Sequence, residues 1–180
     1  EVYAFDDLTH LRHDPDLEPL RDTARFRAII DAWPERMEGL ADARFQALLD
    51  RFGGRYHTHE DAFLRLRFAV GMPQESFELA REELDATSRW AVAELFGNLV
   101  EAEAAMVPWV SVVIPTDRDF ARWLADRHGE AARTATRQIA GTYDHDRKAL
   151  VCKDLGATLR HEVFHALHYR SQSLEGQRHA

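Results

Sequence analysis

The segment His161-Glu162-Val163-Phe164-His165 sets two imidazoles four positions apart, with a carboxylate directly after the first. On a helix, positions i and i+4 stand one above the other, so two imidazole nitrogens can reach one metal ion, at about 2.0–2.1 Å each for zinc. Glu162, one position along, then lies beside the ion instead of on it. There it can take a proton from an attacking water and pass it to a leaving amine. These residue types at this spacing point to hydrolysis of peptide bonds by metal-activated water, with His161 and His165 as metal ligands, Glu162 as catalytic base and Zn2+ as cofactor. Composition alone yields such a pattern in about one chain in twenty of this make-up, so the surrounding element has to carry the reading.

That element is the stretch Ala157 to Arg170, which reads as a helix. Steps of about 100° per residue put His161, Glu162, His165, His168 and Tyr169 on one arc, and Leu159, Val163, Phe164, Ala166 and Leu167 on the other. The histidines fall on the side away from the core. His168 is seven positions from His161, about 10 Å along the axis, too far to share one ion. It is expected to line the cleft.

Upstream, Leu64 to Val70 alternates with period two and predicts a strand with one buried face, stopped by Gly71 and Pro73. Gln74 to Phe96 predicts a long helix with Phe77, Leu84, Trp90, Val92, Leu95 and Phe96 available to the core. Trp109 to Ile114 is a β-branched run between prolines, the pattern of a central strand. Thr116 reads as the N-cap of the next helix, with Asp117 and Asp119 at the positive end of its dipole and Phe120, Trp123 and Leu124 turned inward. Ile139 to Tyr143 and Lys148 to Cys152 flank Asp144-His-Asp-Arg147 as a hairpin. Strand, helix, strand, helix, hairpin and helix together predict an α+β domain whose last helix holds the chemistry.

Ala140-Gly-Thr-Tyr-Asp144, Ala149-Leu-Val-Cys152 and Thr158-Leu-Arg-His-Glu-Val-Phe-His-Ala-Leu-His168 together resemble the core of the peptidase MA-like gluzincins, bacterial zinc metallopeptidases of zincin-like fold. The resemblance extends more weakly back to the Leu64 strand, over about 115 residues. It implies that His161 and His165 bind zinc and that Glu162 is the base. It also implies that Ala149 to Cys152 and its neighbours flank an extended peptide substrate, added as a further strand. Members of that family take a third zinc ligand from a glutamate on a later helix, in a Glu-Gly setting. Here Glu175-Gly176 follows only ten positions after His165, so Glu175 is one candidate ligand. The other reading is that this sequence stops short of the helix that carries the ligand.

The N-terminal third reads as two helices, Leu17 to Trp33 and Glu35 to Phe52, closed by Gly53-Gly54. Octets Ala24 to Asp31 and Ala43 to Asp50 are near copies; a duplicated helix and the ordinary recurrence of an amphipathic pattern both account for this. Asp16 to Phe26 also resembles the closing helix of a tetratricopeptide array, which implies a platform for a protein partner. A helical cap on the catalytic domain is the other reading. The expected division is therefore residues 1–58, a helical N-terminal segment, and residues 59–180, the gluzincin-like catalytic domain.

The chain has 180 residues and a formal net charge of −8, with arginines interleaved among acids, which argues against a nucleic-acid partner. No apolar run reaches the roughly 18–20 residues that cross a bilayer, so a soluble protein without a membrane partner is expected. Cys152 is the only cysteine and fits a reducing, cytoplasmic compartment. As a ligand that blocks the metal it is less expected than as a small residue ending a strand. His57, His59 and Glu60 read as a polar linker rather than a metal site, and Tyr143 or Tyr169 could stabilise an oxyanion. The alternative function is a catalytically inactive protease-like domain that holds a partner.

Overall fold

A computed structural model describes residues 7–52, 55–101, 107–137 and 139–174. Its helices are α1 (Leu8–His13), α2 (Ala24–Asp31), α3 (Trp33–Asp50), α4 (Gln74–Glu94), α5 (Asn98–Glu101), α6 (Asp117–His128) and α7 (Ala157–Leu174). Strands β1 (His57–Asp61), β2 (Leu66–Val70), β3 (Val110–Ile114), β4 (Gly141–Asp144) and β5 (Ala149–Cys152) form one mixed sheet. Two 3-10 segments, Pro15–Leu20 and Glu130–Arg137, complete the described elements. No described helix is long and apolar enough to cross a membrane.

The strand order is β1-β2-β3-β5-β4, with β2, β3 and β5 mutually parallel and the two outer strands antiparallel to their neighbours. This is the expected α+β class. On one face Leu66, Phe68, Val70, Val110, Val112, Ile114, Leu150 and Cys152 pack against Phe77, Leu84 and Val92 of α4 and Leu159, Val163, Ala166 and Leu167 of α7. On the other, Ala69, Val113 and Val151 meet Leu48 of α3, Phe52, and Phe120, Trp123 and Leu124 of α6. α3, drawn from the helical N-terminal stretch, thus covers part of the sheet. Leu8, Trp33 and Met37 form a separate small cluster among the first helices.

Covering both faces changes the expected alternation of the Leu64–Val70 segment: Leu66 to Val70 are all buried. Arg67 is tolerated there because Glu38, Asp42 and Glu60 all pair with its guanidinium, which also lies over the Trp109 ring. Trp109 donates its ring N–H to Glu38, so α3 and the start of β3 share one carboxylate. The linker expected at His57-Thr-His-Glu60 is instead the edge strand β1, in register His57 to Val70 through Asp61 to Leu66. Trp90 and Leu95, expected in the core, are exposed, because the inner stripe of α4 runs through Phe77, Leu84, Ala91 and Val92.

Candidate metal centre on the last helix

α7 is fixed at both ends before any chemistry is considered. At its start the Asp154 carboxylate accepts from the backbone N–H groups of Gly156 (3.0 Å) and Thr158 (3.1 Å). These bonds, with that of the Thr158 hydroxyl, hold the Asp154 pKa below its ordinary value, and the positive end of the helix favours the same charge. Near its end Arg170 is fully buried and donates to the carbonyl oxygens of Leu64 (2.6 Å), Arg65 (3.0 Å) and Pro108 (2.8 Å). Burial draws its pKa down to about 10, still far above neutrality, so the charge persists and those carbonyls hold it. Ser171 and Asn98 add a reciprocal pair of hydrogen bonds between α7 and α5.

Between these anchors Leu159, Val163, Ala166 and Leu167 are buried while His161, His165 and His168 are exposed, as the amphipathic phasing requires. Phe164 departs from it: the arc placed it with the core, yet it is 41% exposed and rests on Phe96 with ring centroids 5.1 Å apart. The Nε2 atoms of His161 and His165 converge to 3.0 Å, with the rings perpendicular. At that distance at least one Nε2 lacks a proton, and both lone pairs can be offered to a cation between them. Two nitrogens on a tetrahedral zinc lie about 3.3 Å apart, so the pair fits that ion with a separation wider by a few tenths of an ångström. Glu162 is half-buried, and its charge adds, after burial and the Asp154 charge, to the upward shift of the Cys152 thiol.

The flanks of α7 differ. On one side runs β4, the terminal strand of the sheet among the described residues, with Gly141 against Thr158 and Cys152 and the Tyr143 ring 6.0 Å from Tyr169. A Cβ at position 141 would meet Thr158 Cγ2 at 3.0 Å and Cys152 Sγ at 3.2 Å, so any larger residue there would push these side chains back by a few tenths of an ångström. Ala149 to Cys152 form β5, and their hairpin neighbours Gly141 to Asp144 form β4. β5 is paired on both sides, by β3 and β4, and the terminal strand beside α7 is β4.

The turn after β4 contributes a residue the sequence did not single out. His145 stacks on Tyr169 at 4.5 Å, with Nδ1 3.4 Å from the Tyr143 hydroxyl and Nε2 3.3 Å from Lys148 Nζ. Lys148 is buried and holds a left-handed backbone (φ 50°), a local strain found where surrounding contacts fix the chain. The only signal in the sequence was a histidine between a strand tyrosine and a turn lysine, which also describes an ordinary hairpin.

The remaining candidates lie elsewhere. His57, His59 and Glu60 are on β1, at the opposite edge of the sheet; His59 packs on Phe77 and Glu60 pairs with Arg67. Cys152 is buried and donates to the Asp154 carbonyl oxygen. Glu175 lies outside the described residues. Among the described residues no group of three His, Cys, Asp or Glu side chains is placed to hold one metal ion, so the centre there consists of the imidazole pair. No protein-family model, curated protein or solved structure matches this chain.

Proposed function

We propose that the chain is a zinc-dependent metallopeptidase of zincin-like, gluzincin type, with His161 and His165 as metal ligands and Glu162 as the catalytic base. The observation that carries this reading is the convergence of two exposed imidazole nitrogens to 3.0 Å on a helix anchored at both ends, with Glu162 on the intervening turn. Histidines that merely filled space would be buried with Val163 and Ala166, whereas His161 and His165 are exposed.

Bound between the imidazoles, zinc would polarise the scissile carbonyl and lower the pKa of water toward about 7. The protein supplies the rest. An extended peptide pairs its backbone with the outer edge of β4, which brings one peptide bond across α7. Glu162 takes a proton from the water that attacks the carbonyl carbon, and delivers it to the nitrogen as the C–N bond breaks, leaving a carboxylate and a free amine. The stacked His145–Tyr169 pair fixes the side of the cleft that the peptide passes.

The test is turnover of a peptide library by the zinc-loaded chain and by Glu162→Gln. The amide keeps the shape and loses the base, so cleavage should fall about a hundredfold or more while bound zinc is retained. Equal turnover in the variant would remove Glu162 from its role. Zinc retained by a wild-type chain that cleaves no peptide would favour the partner-holding alternative.

A further inference from the structure

Phe164 is part of the helix that carries the site, yet it serves neither the core nor the imidazole pair. Successive positions of α7 turn by about 100°, so His161 and His165 form the crest, Thr158, Glu162 and Tyr169 slope to one side, and Phe164 and His168 slope to the other. Contacts identify the slopes. Thr158 and Tyr169 meet β4, whereas the Phe164 ring packs on Phe96, whose ring also lies 6.2 Å from His168. The imidazole pair therefore stands between the terminal strand β4 and an aromatic wall. Phe96 is buried and Leu99 partly buried behind this wall, so Phe164 rests on a packed base and does not swing free.

We propose that Phe164 determines specificity by forming, with Phe96 behind it, the floor of a subsite for a bulky uncharged side chain of the substrate residue next to the scissile bond. This rests on the peptidase reading of α7. A peptide paired to β4 presents alternate side chains to opposite faces. One of those beside the bond held over the crest must point across α7, and what it meets there is the exposed Phe164 face. An apolar side chain covers that face and gives up water on both surfaces; an acidic one would lose hydration against two aromatic rings in a chain of net charge −8. Because Phe164 lies between Glu162 and His165 on one rigid helix, a side chain seated on it also fixes the distance of its own peptide bond from the base.

The experiment uses peptides that differ at one residue, Phe, Leu, Ser or Asp, with the full chain, Phe164→Ser and Phe164→Leu. Cleavage by the zinc-loaded proteins is read by mass spectrometry, and binding of the Phe and Asp peptides to Glu162→Gln is read by NMR titration. Expected are a preference of at least about tenfold for Phe and Leu over Ser and Asp, its collapse in Phe164→Ser, its retention in Phe164→Leu, and tighter binding of the Phe peptide that perturbs the Phe164 signals. Discrimination that survives Phe164→Ser, no discrimination at all, or a Phe164→Ser effect confined to self-association would overturn the proposal. Selective binding without any cleavage by the wild type would instead sink the hydrolase reading and leave the subsite standing.

Discussion

The Arg170 guanidinium donates to the carbonyl oxygen of Leu64 at 2.6 Å, across 106 positions of sequence, from a buried site. This bond and its companions to Arg65 and Pro108 bind the far end of α7 to the start of β2 and the approach to β3. Backbone carbonyls thus do for this cation what a carboxylate does elsewhere.

Arg170→Met should accordingly destabilise the fold. It removes the charge, and with it the desolvation cost, but takes a donor from three interior carbonyls, of which that of Arg65 keeps another, the Val110 N–H. We expect a net loss of about 2–4 kcal/mol, as for other buried polar networks broken on one side. Urea denaturation monitored by circular dichroism measures it. An unchanged midpoint would mean that water reaches those carbonyls.

Asp154→Ala removes the side chain that caps the start of α7 and should cost about 0.5–2 kcal/mol in the same assay. The pH dependence has a defined sign. The folded pKa of Asp154 lies below its ordinary 3.8, so its contribution is full above that value and is lost as pH falls through the lower, folded-state pKa. Wild type and Asp154→Ala should therefore converge in stability at strongly acid pH. A difference that stays constant down to pH 2 would assign the effect to packing.

At the alkaline end the relevant group is Cys152. Burial comes first among the causes that push its thiol from 9.0 up to about 12, so the folded protein holds it neutral. A raised folded pKa favours folding fully below pH 9 and loses that advantage as pH rises from about 9 through about 12. Native protein should react slowly with iodoacetamide at pH 8 and quickly once unfolded. Cys152→Ser should flatten the alkaline loss of stability, and an unaltered slope would exclude the thiol as its source.

Elements with strong local signals were legible in the sequence. The β-branched run Val110–Ile114, the Thr116 cap bonded to the Asp119 N–H and, Phe164 apart, the two-faced pattern of α7 appear where the residues put them. β1 was not legible, because an edge strand of His-Thr-His-Glu-Asp is held by backbone pairing and by the Glu60–Arg67 ion pair, neither of which leaves an apolar pattern. The two-sided burial of β2 was hidden for a related reason. An arginine at position 67 reads as solvent-facing until three acids from distant positions surround it. Within the site, the imidazole pair follows from helical spacing alone. By contrast, the terminal place of β4 in the sheet, the His145–Tyr169 stack and the exposure of Phe164 depend on which elements flank α7, and no local spacing encodes that.

Metal titration of the apo-protein addresses the central claim most directly. Isothermal calorimetry with zinc, run on wild type, His161→Ala and His165→Ala at pH 7.5, should show one site per chain in the wild type and its loss in each variant, with folding intact by circular dichroism. Equal zinc uptake by wild type and both variants, or none by the folded wild type, would contradict the assignment of His161 and His165 as the ligands.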